Sequence, residues 1–201
     1  MPLMPNLNSI YLEDTNLTDI GFSIILKSIE EHIRDFKSIT YKGVVNQFGE
    51  KSLLELTKIL KRKVPFQLTT LVFEQVRLMP SYPGQLIEAI ANCSFLEKLS
   101  LANLNLDKLA FKMLCIYLNR NYSLKDLNLK MLNLPVRSFA AILPILAKNR
   151  KIQHLNLASN TLVDKNCDVY DLFDIDKLNQ LRMGGDSLGS SKRSSGNNKA
   201  N

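Results

Sequence analysis

The stretch SFLEKLSLANLNL, Ser94–Leu106, decides how this chain is to be read. Its apolar places, Leu96, Leu99, Leu101, Leu104 and Leu106, return as Leu124, Leu127, Leu129, Leu132 and Leu134, 28 residues later. After a further 28 residues they return as Ile152, Leu155, Leu157, Asn160 and Leu162. One such step earlier stand Leu68, Leu71, Phe73, Val76 and Leu78, and near the start Leu7, Ile10, Leu12, Thr15 and Leu17. Phe36, Ile39, Tyr41 and Val44 fit more loosely, with Asn46 where an apolar residue is expected, and Leu178, Leu181, Met183, Asp186 and Leu188 form a short last copy. Self-similarity at this period marks stacked units that bury their apolar faces against one another.

Within each unit the x-Leu-x-Leu core alternates with period two, which predicts a short strand with one buried face. The pattern then changes to a helical one in DIGFSIILKSIEEHI (Asp19–Ile33), GEKSLLELTKILKRK (Gly49–Lys63), DKLAFKMLCIYLNR (Asp107–Arg120) and PVRSFAAILPILAKN (Pro135–Asn149). Pro135 suits a first helical turn, whereas Pro144 is expected to kink or shorten the last of these helices. A strand and a helix cannot bury their own apolar faces alone, so neighbouring units must share one core.

This pattern resembles leucine-rich repeats, and its period with true helices is similar to the ribonuclease-inhibitor-like class. NLTDIGFSIILKSI, Asn16–Ile29, is similar to the strand-to-helix segment of that class. The resemblance implies an α/β leucine-rich repeat solenoid, a horseshoe segment of about six to seven repeats. Parallel strands would line its concave face and helices its convex face. The repeat domain is expected over residues 1–188 and a disordered polar tail over 189–201. The class usually carries Asn or Cys at the ninth template place, where this chain has Thr15, Val44, Val76, Leu104, Leu132, Asn160 and Asp186. Only Asn160 matches, so the other corners must satisfy their backbone groups differently.

The 201 residues suffice for one substantial core, and 45% hydrophobic with 22% charged residues is a folded composition. No apolar run approaches the roughly 20 residues of a membrane span, and MPLMPNLNSIYL has no signal-peptide pattern, so no membrane insertion is expected. A cytoplasmic setting follows as an expectation, with cytoskeletal or nuclear association left open. Cys93, Cys115 and Cys167 are widely spaced and are expected as free thiols, the first two buried. The net charge of +7 is uneven, being basic from Lys37 to Lys151 and acidic from Asp164 to Asp176.

No catalytic constellation is legible. His32 and His154 lack metal-ligand partners at helical spacing, and no phosphate-binding glycine loop occurs; GGDSLGS (Gly184–Ser190) lacks the lysine and the helix. No cofactor, metal or catalytic residue is therefore assigned. Lys61-Arg62-Lys63 closes a helix, where cations complement the dipole, and no aromatic residue is interleaved in the run. Asn16, Asn92 and Asn121 open Asn-x-Ser/Thr triplets that are expected to go unmodified.

The alternation that buries the leucines leaves three columns on the other face. They are Ser9, Ser38, Thr70, Lys98, Asp126, His154; then Tyr11, Thr40, Val72, Ser100, Asn128, Asn156; then Glu13, Lys42, Glu74, Ala102, Lys130, Ala158. Their mixed polarity suits a protein partner better than a phosphate backbone, so a nucleic-acid partner is not expected. The expected function is a non-catalytic interaction scaffold or adaptor. The candidate contacts are Tyr11, Glu13, Thr40, Lys42, Val72, Glu74, Lys98, Ser100, Asp126, Asn128, Lys130, His154 and Asn156. The alternative is a GTPase-activating protein of the Ran type, or another small-GTPase regulator, although the acidic tail of that subfamily is missing. AKNRKIQHLNL is also similar to passages in leucine-rich-repeat regulators of actin-capping machinery. The solenoid ends would lack caps, which makes self-association a further expectation.

Overall fold

The computed structural model describes residues 6–63, 65–133 and 136–160. The last template copy, the acidic stretch, the glycine-rich segment, Cys167 and the tail lie outside the described residues, as do Pro135 and the opening MPLMP. Six strands form one sheet: β1 (Ser9–Glu13), β2 (Ser38–Lys42), β4 (Thr70–Glu74), β6 (Lys98–Ser100), β7 (Asp126–Asn128) and β8 (His154–Asn156). They lie in chain order, every neighbouring pair parallel. The register is unbroken from Ile10 through Ile39, Leu71, Leu99 and Leu127 to Leu155. Two shorter strands, β3 (Gln47–Phe48) and β5 (Arg77–Leu78), pair in parallel where the chain turns toward the helices, a ladder the period-two pattern does not announce.

The helices α1 (Asp19–His32), α2 (Glu50–Leu60), α3 (Tyr82–Ala91), α4 (Lys108–Arg120) and α5 (Val136–Lys148) each pack against the next. Helix α5 runs through Pro144 to Lys148, one residue short of the expected Asn149. The alternating strand residues and one face of each helix meet in a single core, from Phe22, Leu26 and Ile39 to Leu127, Leu129 and Ile142. At one end that core is aromatic: Phe22 stacks on Tyr41 at 3.8 Å, and Phe73 meets Tyr41 and Phe48 edge-on. Tyr41 fits there because its hydroxyl donates to the carbonyl of Gln47 at 2.9 Å, which satisfies the one polar atom of a buried ring. Cys93 and Cys115 are buried free thiols, and burial pushes the Cys115 thiol up to about 12. Among the described residues no helix is long and apolar enough to cross a membrane.

The chain satisfies the backbone groups beyond its strand ends in two ways. First, every strand of the large sheet is followed by a residue with left-handed backbone: Asp14, Gly43, Gln75, Asn103, Met131 and Ser159. The N–H of each of the first five donates to a carbonyl at or just past the end of the neighbouring strand, from Asp14 to Lys42 at 3.2 Å through Met131 to Ala158 at 3.0 Å. The backbone ladder thus continues past the strand ends, with side chains too varied to signal it. Gly43 is obligatory, since at φ 104° a Cβ would meet Asp14 Oδ1 at 2.0 Å. Second, the looser second unit has a longer corner that carries Asn46 into the core at 0% exposure. Its Oδ1 accepts from the Leu17 N–H at 3.1 Å, and its amide donates to the Lys42 carbonyl. Val44, the aligned template residue, is 66% exposed instead. Asn160 serves the same purpose by accepting from Leu132 N–H at 2.9 Å and donating to the Leu129 carbonyl at 2.9 Å.

Neighbouring units also cap each other's helices. Thr18 and Asp107 cap their own helices, accepting from Gly21 and Ala110 N–H at 3.2 and 2.7 Å. The residue at the N-cap of helix α2 is Gly49, which has no side chain, and the Asp19 carboxylate of α1 accepts from Gly49, Lys51 and Ser52 N–H at 2.9, 3.1 and 2.9 Å. A Cβ on Gly49 would meet Met79 Sδ at 2.5 Å, so the glycine makes room for this arrangement. In the opposite direction, Arg62 donates to the carbonyls of Ile29, Glu30 and Ile33 at the end of α1, at 2.9, 2.7 and 2.8 Å. Within the basic run, Lys61 ends its own helix while Arg62 closes a different one. Asn149 donates likewise to the Asn121 carbonyl at 3.1 Å. Asn121 is 4% exposed and its amide is spent on Tyr117 Oη, which leaves that glycosylation triplet no acceptor nitrogen.

Candidate binding face

The face opposite the helices carries the three polar columns, and the strand register determines which side chains meet. Tyr11, Thr40, Val72, Ser100, Asn128 and Asn156 run across all six strands as one row. Lys98, Asp126 and His154 form the far half of the first row, and Glu13, Lys42 and Glu74 the near half of the third. Lys130 follows β7, where its N–H donates to Asn128 Oδ1 at 3.1 Å. Val72 and Ser100 are only 5% and 2% exposed, so these two candidate contacts offer almost no surface.

Glu74 is the hub. Its Oε2 lies 3.1 Å from Lys42 Nζ, and its Oε1 accepts from Ser100 Oγ at 2.5 Å and Asn128 Nδ2 at 3.3 Å. Side chains from three other strands converge on this one carboxylate. Burial pushes the carboxyl up, but the bonds from Ser100 and Lys42 and the charge of Lys42 outweigh it and hold Glu74 below its ordinary value. For Lys42 burial pulls down, and the bond and charge of Glu74 more than restore it, leaving the ammonium above its usual value. Lys42 also sits 5.8 Å from the centre of the Tyr11 ring, whose hydroxyl donates to Glu13. The hydrogen bond to Glu13 is the main reason the Tyr11 phenol is raised.

Beside the hub the sheet surface dips into a groove of about 530 Å³ over β6, β7 and β8. Lys98, Asp126, Asn128, His154 and Asn156 line it with Glu74, and Gln153 joins them. Gln153 escapes the column pattern because it precedes the strand. Asp126 and His154 approach to 3.9 Å, while Ser100 turns its hydroxyl to Glu74. The groove thus presents a cation, a carboxylate, an imidazole and amides that both donate and accept, which matches the mixed needs of a polypeptide. His32 is remote from it, at the end of α1. Among the described residues no three of His, Cys, Asp and Glu gather as a metal centre requires.

Fold and face together define a two-layer α/β protein whose parallel sheet turns a polar, hydrogen-bonded surface outward. No protein-family description matches the chain, and no curated protein matches it.

Proposed function

We propose that the chain is a leucine-rich repeat solenoid of the ribonuclease-inhibitor-like kind, acting as a non-catalytic scaffold that grips a protein partner on its concave strand face. The solenoid reading is supported by six parallel strands laid down in chain order, with equivalent template residues in register from Ile10 to Leu155. The binding reading rests above all on the groove at Lys98, Asp126, Asn128, His154 and Asn156. It adjoins a network in which Glu74, Lys42, Ser100 and Asn128 already hold one another in place. Side chains so constrained lose less rotamer freedom on docking, which favours affinity.

The test compares the intact chain with Lys98→Glu/Asp126→Lys/Asn128→Ala by affinity purification and quantitative mass spectrometry, after circular dichroism has shown both folded. A protein captured by the intact chain and lost by the variant supports the reading; identical partner sets refute it. Among the described residues β1 is an edge strand of the sheet, and we propose weak self-association there. Light scattering that reports a constant monomer mass from nanomolar to high micromolar concentration would refute that part.

A further inference from the structure

A second surface lies along the rim where helices return to strands. Because the six strands are parallel, the five corners at 33–38, 61–69, 92–97, 120–125 and 149–153 share one edge of the sheet. Backbone bonds tie each corner to the next: Thr69 N–H to Lys37 O, Glu97 N–H to Thr69 O, Lys125 N–H to Glu97 O and Gln153 N–H to Lys125 O, at 2.7 to 2.9 Å. At about 4.8 Å per strand the corners span about 19 Å. They hold nine basic and two acidic residues, a net +7 that equals the charge of the whole chain. Both acids are neutralised within the rim, Asp35 by Lys37 and Glu97 by Lys125, each pair at 2.8 Å. Arg62 is spent on α1, but Arg34, Lys61, Lys63, Arg120, Arg150 and Lys151 are exposed and, among the described residues, carry no ion pair.

Helix ends account for part of this charge, since each C-terminus carries about half a negative charge. Five helices amount to about −2.5, well short of the positive excess. The same rim also bears aromatic rings. Phe66, Phe95 and Tyr122 stand on three consecutive corners at 38%, 44% and 65% exposure. Phe95 and Tyr122 flank the bond from Ser123 Oγ to the Ser94 carbonyl, which joins their two corners. The basic run at 61–63 has no interleaved aromatic residue; Phe66 stands on the same corner, and the fold adds Phe95 and Tyr122 from the next two.

We propose that this rim binds single-stranded nucleic acid, with the cations along its phosphates and the three rings under unpaired bases. An acidic protein would match the charge but gives no role to rings spaced one per corner. A membrane is broad, whereas this rim is one line of corners. Linear phosphates carrying stackable bases answer both features. The rim meets the strand-face groove at Gln153, but none of the cations or rings named here lines that groove, so the rim reading stands independently of the scaffold reading.

The test is fluorescence anisotropy with labelled oligo-uridylate and oligo-deoxythymidylate of roughly 20 nucleotides, the two arms separating RNA from DNA. For four phosphate contacts, affinity should fall about 50-fold between about 50 and about 200 mM salt. Phe95→Ala/Tyr122→Ala should weaken binding at least about tenfold without changing that salt slope. Lys63→Glu/Arg120→Glu/Lys151→Glu should flatten the slope. Lys98→Glu/Asp126→Lys, on the strand face, should bind as the intact chain does. Each variant is first shown by circular dichroism to be folded. The proposal is overturned by no binding at low salt, by equal binding of inorganic polyphosphate, by indifference to ring removal, or by capture on phosphatidylserine vesicles with none on oligonucleotide.

Discussion

Replacing Glu74 tests whether the outer face is a held network or a set of independent solvated side chains. Glu74→Gln keeps an oxygen for Ser100 and Asn128 and removes the charge that faces Lys42 at 3.1 Å. Coulomb's law at an effective dielectric of about 20 gives about 5 kcal/mol for that separation. Both side chains retain about a quarter of their exposure, at 26% and 23%, so desolvation and screening offset most of this attraction. A double-mutant cycle with Lys42→Met should therefore return a coupling of about 1 kcal/mol at neutral pH, the upper end for exposed pairs. In a chain of this length, 1 kcal/mol moves the thermal midpoint by about 2 to 4 °C. Because the folded Glu74 carboxyl lies below its ordinary value, its stabilisation is complete above the unfolded pKa of about 4.3. It is lost as pH falls through the lower folded value, so the coupling should fade in acid. The assay is urea unfolding of the four proteins at pH 7 and pH 3, at constant m-value. Coupling below about 0.3 kcal/mol at pH 7, or equal coupling at both pH values, would refute the account.

Asp19→Ala removes the one side chain that, among the described residues, caps α2 and should cost about 1 to 2 kcal/mol, read by urea unfolding. Burial raises the Asp19 carboxyl but its bonds to Ser52, Lys51 and Gly49 lower it further, so this deficit too should shrink below pH 4, not above it. Arg62→Lys keeps the charge and loses the fork that reaches three carbonyls of α1; it should destabilise by about 1 kcal/mol and speed amide exchange at Ile29 to Ile33. Met131→Gly, at φ 56° and 38% exposed, should raise the midpoint, because relief of left-handed backbone strain is worth about 1 kcal/mol. A lowered midpoint would show that the Met131 side chain contributes more than its backbone costs.

The legible part of this fold was its periodicity. Leu71, Leu99 and Leu127 are buried and in register because a strand sends alternate side chains to opposite faces, a rule that acts within a few residues. The same rule placed Lys98, Asp126 and His154 side by side, and Asn128 beside Asn156. It was weakest where a unit departs from its fellows: the corner after β2 is longer, so Asn46 entered the core at the place where the pattern put an apolar residue, and Val44 went to solvent.

What the sequence alone determined, then, was the strands of the six-stranded sheet, the helical segments that follow them and the face on which their side chains stand, since those follow from local sterics and from the burial of apolar residues; β3 and β5 it did not announce. Only the tertiary structure decided which charges meet. Glu74 reaches Ser100 and Asn128, 26 and 54 residues away, while Asp19 caps a helix in the next unit and Arg62 closes one in the unit before. Phe66, Phe95 and Tyr122 share a rim with lysines that are remote in the chain. Such meetings depend on how one unit lies against the next, and a hydrogen bond shorter than 3 Å between residues some 30 positions apart is set by that packing, not by the spacing of either residue in its own segment.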